Sequence, residues 1–234
     1  SEKKFLKIAK HNGPDFVRYN HRQFSRMYPA GKRVNSSNYL PTRLWSMGCQ
    51  IVALNYQTAD TAMCLNEGKY QTNGRCGYLL KPKCLRSSKE YFDHNSTKPT
   101  ANAITLTVQV ISGARLPKPK QSQKGEVVDP YVRVELHGPP GEVQHERTSV
   151  ITDNGFNPVW GAKFMFTVNV PELSMISFMV YDEDRVSKDD FLACNSYPVH
   201  EVQQGYHFVE LQNHRHEIIN QCGLFVHFQV TLKE

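Results

Sequence analysis

LFVHFQVT, residues 224–231, sets Leu224, Val226, Phe228 and Val230 on one side of an extended chain and His227, Gln229 and Thr231 on the other. Successive side chains of a strand point to opposite faces, so this is the pattern of a sheet with one buried side. ITLTVQVI at 104–111 repeats it with Ile104, Leu106, Val108 and Val110. Between the two, strand signals recur about every ten to fifteen residues. Strands are predicted at Ile104–Ile111, Pro130–His137, Arg147–Ile151, Lys163–Val168, Met175–Tyr181, Phe191–Tyr197, Tyr206–Leu211 and Leu224–Thr231. Eight short antiparallel strands in about 130 residues make an all-β sandwich.

Outward from that sandwich, the chain of 234 residues has room for a further domain or part of one. Charge divides it. Residues 1–93 hold 16 Lys and Arg against 6 Asp and Glu, whereas 94–234 hold 12 against 16. SSKEYFDHNSTKPTAN, spanning this change, is polar, turn-rich and without either hydrophobic period, so a linker is placed at 87–101. The basic first part suits an anionic membrane, an anionic substrate or a merely solvated surface. No nucleic-acid-binding motif accompanies the charge, and nucleic acid is not expected as a partner.

No stretch reaches the roughly 18 to 20 apolar residues that span a bilayer, and SEKKFLKIAK at the start lacks the apolar region of a signal peptide. Membrane contact is expected to be peripheral. The sequence begins at Ser1 and runs straight into a helical pattern, which reads as a piece of a longer chain. Six cysteines at irregular spacing, with no C-x-x-C pair, are expected to be reduced, mostly buried thiols of a cytosolic protein, without a functional role.

In the first part, SRMYPAGKRVNSSNYLPTRLWSMGCQIVALNYQT (25–58) carries the clearest signals. Gln50–Asn55 has the continuous apolar composition of a strand buried on both faces, as in a parallel α/β barrel, and Arg26–Tyr28 is assigned to an earlier strand. Pro41 opens a helix through Trp45 that stops near Gly48. A helix from Thr58 to Tyr70 and GYLLKP at 77–82 continue the alternation of strand and helix.

Acidic residues gather in the loops of the sandwich. YDEDRVSKDDF (181–191) puts Asp182 and Asp184 at alternate positions, able to face one cation, with Asp190 returning from the far side of the loop. Calcium takes six to eight oxygen ligands from such loops; a solvated acidic turn has the same composition.

VVDPYVRV (127–134), NGFNPVW (154–160) and YDEDRVSKDDF, in that order and spacing, resemble a C2 domain over residues 103–234. The resemblance implies a Ca²⁺ and phospholipid site on three loops. By matching position its ligands are Asp129, Asp153, Asp182, Asp184 and Asp190, with the Val127 carbonyl as a further candidate. Gln123 stands where many calcium-binding members have another Asp, which implies fewer ions or weaker binding. Asn157, Pro158 and Trp160 are read as structural.

SRMYP, NSSN, WSMGCQIVALNYQT and NGRCGYLLKP, all within residues 1–86, resemble the Y half of phosphoinositide-specific phospholipase C, a family in which a C2 domain follows that half. The implied architecture is α/β plus all-β: residues 1–86 as the C-terminal half of a TIM-like barrel, 87–101 as linker, and 102–234 as an eight-stranded antiparallel C2 sandwich. The implied reaction is hydrolysis of phosphatidylinositol 4,5-bisphosphate to diacylglycerol and inositol trisphosphate in intracellular signalling. By matching motif Arg26 pairs with a ring phosphate and Tyr28 stacks beneath the inositol ring. The family's catalytic histidines and catalytic Ca²⁺ ligands belong to the X half, so none of the ten histidines here is nominated as catalytic. The expected partners are that X half, the bisphosphorylated lipid and an anionic membrane, with the protein cytoplasmic and peripheral at the inner face of the plasma membrane. A catalytically inactive scaffold of the same family is the alternative.

Overall fold

The computed structural model describes residues 2–87, 92–96, 98–119, 127–139, 143–184 and 186–233. Gln123 and parts of the expected linker lie outside these residues.

The first part opens with helix α1 (Glu2–Tyr19). Phe5, Ala9, Gly13 and Val17, spaced four apart, form its buried stripe, while Lys4, Lys7, Lys10, His11 and Arg18 face solvent. The helix kinks at Asn12, whose φ of −137° is non-helical. Pro14 lacks the N–H that would bond back across that turn. A buried histidine from downstream, His94, lies over Gly13: a Cβ there would come 2.0 Å from its ring.

Strand β1 (Arg26–Met27) pairs in parallel with β2 (Ile51–Val52), and helix α2 (Thr42–Trp45) lies between them in sequence. As expected, Pro41 opens α2, and Gly48 turns the chain at φ +75°. Helix α3 (Thr61–Tyr70) starts later than its expected Thr58, because the Asp60 carboxylate accepts from the Met63 N–H (3.0 Å) and sets the first turn.

Two expectations about strands fail here. Gln50–Asn55 is not a strand buried on both faces: only Ile51–Val52 pair, and Ile51 is 46% exposed. Residues 77–82 form no strand, and Tyr78 and Leu80 are each 81% exposed. Among the described residues neither segment has a further strand to pair with. Met27, by contrast, packs with Phe5, Val17, Leu44, Met47 and Met63 in the core beneath the helices.

The second part contains β3 (Ile104–Ala114), β4 (Pro130–His137), β5 (Gln144–Arg147), β6 (Val159–Val168), β7 (Met175–Asp182), β8 (Asp190–Pro198), β9 (Gly205–Gln212) and β10 (Ile218–Leu232). All pairings are antiparallel, in the order β5-β4-β7-β8-β9-β10-β3-β6. β8 and β9 join only at Cys194 and Gln212, so the sheet folds there into two four-stranded layers. Val132, Val134, Ile176 and Val180 of one layer meet Leu106, Val108, Leu224 and Val226 of the other, and Phe178 meets Phe228 edge to face at 6.1 Å.

The expected strand at Arg147–Ile151 is displaced. β5 ends at Arg147: Thr148 still donates its N–H to the Val132 carbonyl (2.9 Å), but its Oγ1 accepts the Val132 N–H (3.0 Å), so a side-chain oxygen replaces the backbone acceptor and the regular ladder stops. An edge strand with little buried surface has no hydrophobic alternation to mark its register.

The two parts meet along α3 and β8. Ser196 Oγ donates to the Cys64 carbonyl (2.8 Å) and Gln71 Nε2 to Asn195 Oδ1 (3.3 Å). Gly68 lies so close that a Cβ would fall 2.1 Å from Ser196 Oγ and 2.2 Å from its carbonyl oxygen.

Candidate functional site

β1 explains why Arg26 and Tyr28 share a face. Met27 between them turns into the core, so its neighbours project the opposite way. The Arg26 guanidinium carbon lies 5.8 Å from the centroid of the Tyr28 ring, and Tyr28 is 47% exposed. Among the described residues neither side chain is held by a hydrogen bond or an ion pair. Arg33 differs: it is clamped to Glu2 at 2.6 and 2.9 Å, and this pairing raises its pKa and lowers that of Glu2. An arginine and a phenol left free on an open face form a shelf for an anionic group beside a flat ring.

The NSSN turn beneath this shelf is occupied structurally. Asn38 Oδ1 accepts the Asn55 N–H (2.6 Å), Asn38 Nδ2 donates to Asp60 (3.3 Å), and Thr58 donates to the Ser36 carbonyl (2.7 Å). These bonds fix the loops after β1 and β2 to one another.

At one end of the sandwich three loops converge. The Asp129 N–H donates to Asp182 Oδ1 (2.6 Å), and Asp129 Oδ1 accepts the Asp153 N–H (2.7 Å). Asp190 stands opposite Asp182 where β7 and β8 pair, and Val127 lies half-exposed at the entry to β4. Asp184 folds into its own turn, accepting from the Val186 N–H (2.8 Å) and the Ser187 hydroxyl (2.7 Å); the Ser187 bond is the main cause of its lowered pKa. The oxygen-rich donor set suits a hard cation such as calcium. Among the described residues, however, no three carboxylates, imidazoles or thiols converge on one point, and backbone N–H groups occupy some of the carboxylate oxygens.

Some groups of the structure carried no recognisable signal in the sequence. Asp189, adjacent to the candidate Asp190, accepts from the Tyr131 hydroxyl (2.7 Å) and the Asp184 N–H (3.2 Å). Lys69 lies with its amine 4.8 Å from the centroid of the Trp45 ring, and burial lowers its pKa to about 8. Cys64 and Cys194, 130 positions apart, share one small buried cluster.

The profile of the phosphatidylinositol-specific phospholipase C Y domain matches residues 1–84, and that of the C2 domain matches 104–213. Human 1-phosphatidylinositol 4,5-bisphosphate phosphodiesterase delta-1 is 43% identical over 97% of this chain and 30% of its own length. Mouse inactive phospholipase C-like protein 2 is 41% identical over 96% of this chain and 20% of its own. The crystal structure of L. pealei PLC21 superposes with a TM-score of 0.90 at 32% identity, covering all of this chain and 29% of that one. The chain thus spans about three-tenths of the length of the phosphodiesterase relatives it matches. The chain therefore carries the Y domain of phosphatidylinositol-specific phospholipase C followed by a C2 domain.

Proposed function

We propose that this chain is the Y half of a TIM-like catalytic barrel, residues 1–86, joined through 87–101 to a C2 domain, 102–234, in an enzyme that cleaves phosphatidylinositol 4,5-bisphosphate. The exposed Arg26–Tyr28 pair carries this reading. Arg26 binds a ring phosphate by charge-assisted hydrogen bonds and Tyr28 presents a flat face to the inositol ring. The acid, the base and the catalytic Ca²⁺ ligands come from the X half, which also caps the open side of β1 and β2. Exposed Phe24, Ile51, Tyr78 and Leu80 supply the apolar surface for that closure.

In the C2 domain, Asp129, Asp153, Asp182 and Asp190 are the residues to hold Ca²⁺, with Asp184 joining if it releases Ser187 and with the Val127 carbonyl beside them. A bound ion there neutralises the loops and accepts lipid phosphate oxygens, which places the enzyme peripherally on an anionic leaflet, at the cytoplasmic face of the plasma membrane.

The identity to an inactive phospholipase C-like protein, 41%, supports a second reading, a lipid- or protein-binding scaffold without turnover. Reconstitution separates the two. The purified chain is expected to release no inositol trisphosphate from mixed vesicles, and addition of its X half to restore release. Turnover by the single chain would overturn the placing of the acid, base and metal ligands in the X half, and none after verified assembly would overturn the enzymatic reading.

A further inference from the structure

The shelf of Arg26 and Tyr28 has a rim, and the rim is basic. Just past Tyr28 the chain makes a turn closed by the Arg33 N–H on the Ala30 carbonyl (2.9 Å), followed by a second turn closed by the Ser36 N–H on the Arg33 carbonyl (3.0 Å). Lys32 stands at the corner of the first and Val34 at the corner of the second, both exposed, Val34 to 92%. The first turn of α1 is tied to this loop. The Glu2 carboxylate accepts the Ala30 N–H (3.3 Å) and the Arg33 guanidinium (2.6 and 2.9 Å), and Lys32 lies within its electrostatic reach. The clamp brings the outer face of α1 alongside the loop that borders the shelf.

That face carries Lys4 and Lys7, three apart and so neighbours on the helix surface, with Lys10 following. All three are exposed. Among the described residues neither they nor Lys32 make a hydrogen bond or an ion pair. The carboxylates of α1 do not answer them: Glu2 is held by Arg33, and Asp15 lies 3.6 Å from Arg18 near the other end of the helix. A helix face that is merely solvated mixes charges of both signs. Here one sign stands beside one apolar tip.

We propose that Lys4, Lys7, Lys32 and Val34 form a docking surface for an anionic lipid leaflet, set beside the shelf and separate from the loops of the sandwich. This rests on Arg26 and Tyr28 being the head-group site proposed above. A head group held on the shelf is still anchored in its leaflet, so residues bordering the shelf come within about one Debye length, roughly 8 Å at physiological ionic strength, of the anionic surface. At that range each lysine raises the membrane-bound share by about fivefold. Val34 adds an apolar point able to enter the interface. The acidic loops of the sandwich need a cation before they attract such a leaflet, whereas the rim attracts it as it stands. Its role is to turn the shelf towards a membrane to which the C2 domain has delivered the protein.

The test measures partitioning of the full chain onto vesicles of phosphatidylserine and phosphatidylcholine at saturating Ca²⁺. Lys4→Gln, Lys7→Gln and Lys32→Gln together should lower the partition coefficient roughly tenfold or more, a loss that shrinks as salt is raised. Removing three exposed cations elsewhere, by Lys163→Gln, Arg215→Gln and Lys233→Gln, should lower it by less than about threefold. Val34→Trp should gain emission that brominated lipid quenches on binding. Equal losses in the two triple variants, Val34→Trp emission indifferent to brominated lipid, or no binding of the unaltered chain would overturn the proposal and leave the rim to an acidic protein partner or to solvent. The Val34→Trp result decides this even if a triple variant fails to fold. These readouts report contact, not turnover: a failed rim leaves release of inositol trisphosphate by the assembled enzyme untouched, and a failed enzymatic reading leaves the vesicle contact measurable.

Discussion

Arg26 is held in place by β1 and, among the described residues, by no hydrogen bond or ion pair at its tip, so its guanidinium is available to a ligand. A charge-assisted bidentate contact contributes about 1.5 to 3 kcal/mol, so Arg26→Ala, assayed in the chain paired with its X half, should lower kcat/KM for the bisphosphorylated lipid roughly ten- to a hundredfold. Unphosphorylated phosphatidylinositol should lose much less. Equal losses on both lipids would make Arg26 a structural residue.

Lys69 shows the opposite economy, a charge held where water is scarce. Burial lowers its pKa from 10.5 to about 8. Because the unfolded chain binds the extra proton between these values, stability rises with pH across that window, and the penalty is present in full below pH 8. The cation lies over the Trp45 ring, which offsets part of the cost. Replacing Lys69 with Met should therefore raise unfolding free energy at pH 7 by on the order of 2 kcal/mol, with the gain shrinking towards pH 10.5. Urea titrations at pH 7 and pH 10 measure it, and an equal gain at both would exclude the linkage.

Among the elements, α3 and β8 set how the two parts meet. Gly68 is required there by close approach: its φ is ordinary for a helix, and the obstacle is the backbone carbonyl of Ser196. Gly68→Ala gains helix propensity but must push the elements apart, so a net destabilisation of about 1 to 3 kcal/mol is expected from chemical denaturation. A stabilised variant would mean that the seam yields easily. The pair of β1 and β2 is the contrasting element. Its two-residue ladder packs on helices through Met27 and leaves Ile51 exposed, an open edge that the proposed pairing with an X half would cover.

At the scale of the whole molecule, a basic first part is fused to an acidic-looped sandwich. On the proposed reading the acidic loops repel anionic head groups until a cation neutralises them, while the basic part attracts those head groups and is screened by salt. The full chain should sediment with phosphatidylserine-containing vesicles only when Ca²⁺ is present, and the paired change Asp129→Asn with Asp182→Asn should abolish that dependence. Binding indifferent to both calcium and the substitutions would leave the sandwich as a structural brace.

The sequence by itself determined most of the sandwich, because strands with one buried face carry a two-residue alternation that survives without neighbours: Pro130–His137 is the observed β4, and Met175–Tyr181 is β7 but for one residue. It also placed Pro41, Gly48 and α3, whose signals are local backbone preferences. Where the signal depends on a pairing partner it failed. Gln50–Asn55 reads as buried yet stands at an open edge, and β5 is too exposed to announce its register. The candidate site divides in the same way. Arg26 and Tyr28 share a face because they are two apart on one strand, which sequence dictates, whereas the hydrogen bonds that tie Asp129 to Asp153 and to Asp182 depend on three loops brought to one end. The packing of Cys64 with Cys194 was decided by tertiary structure alone: only the seating of α3 on β8 brings together two residues 130 positions apart in sequence.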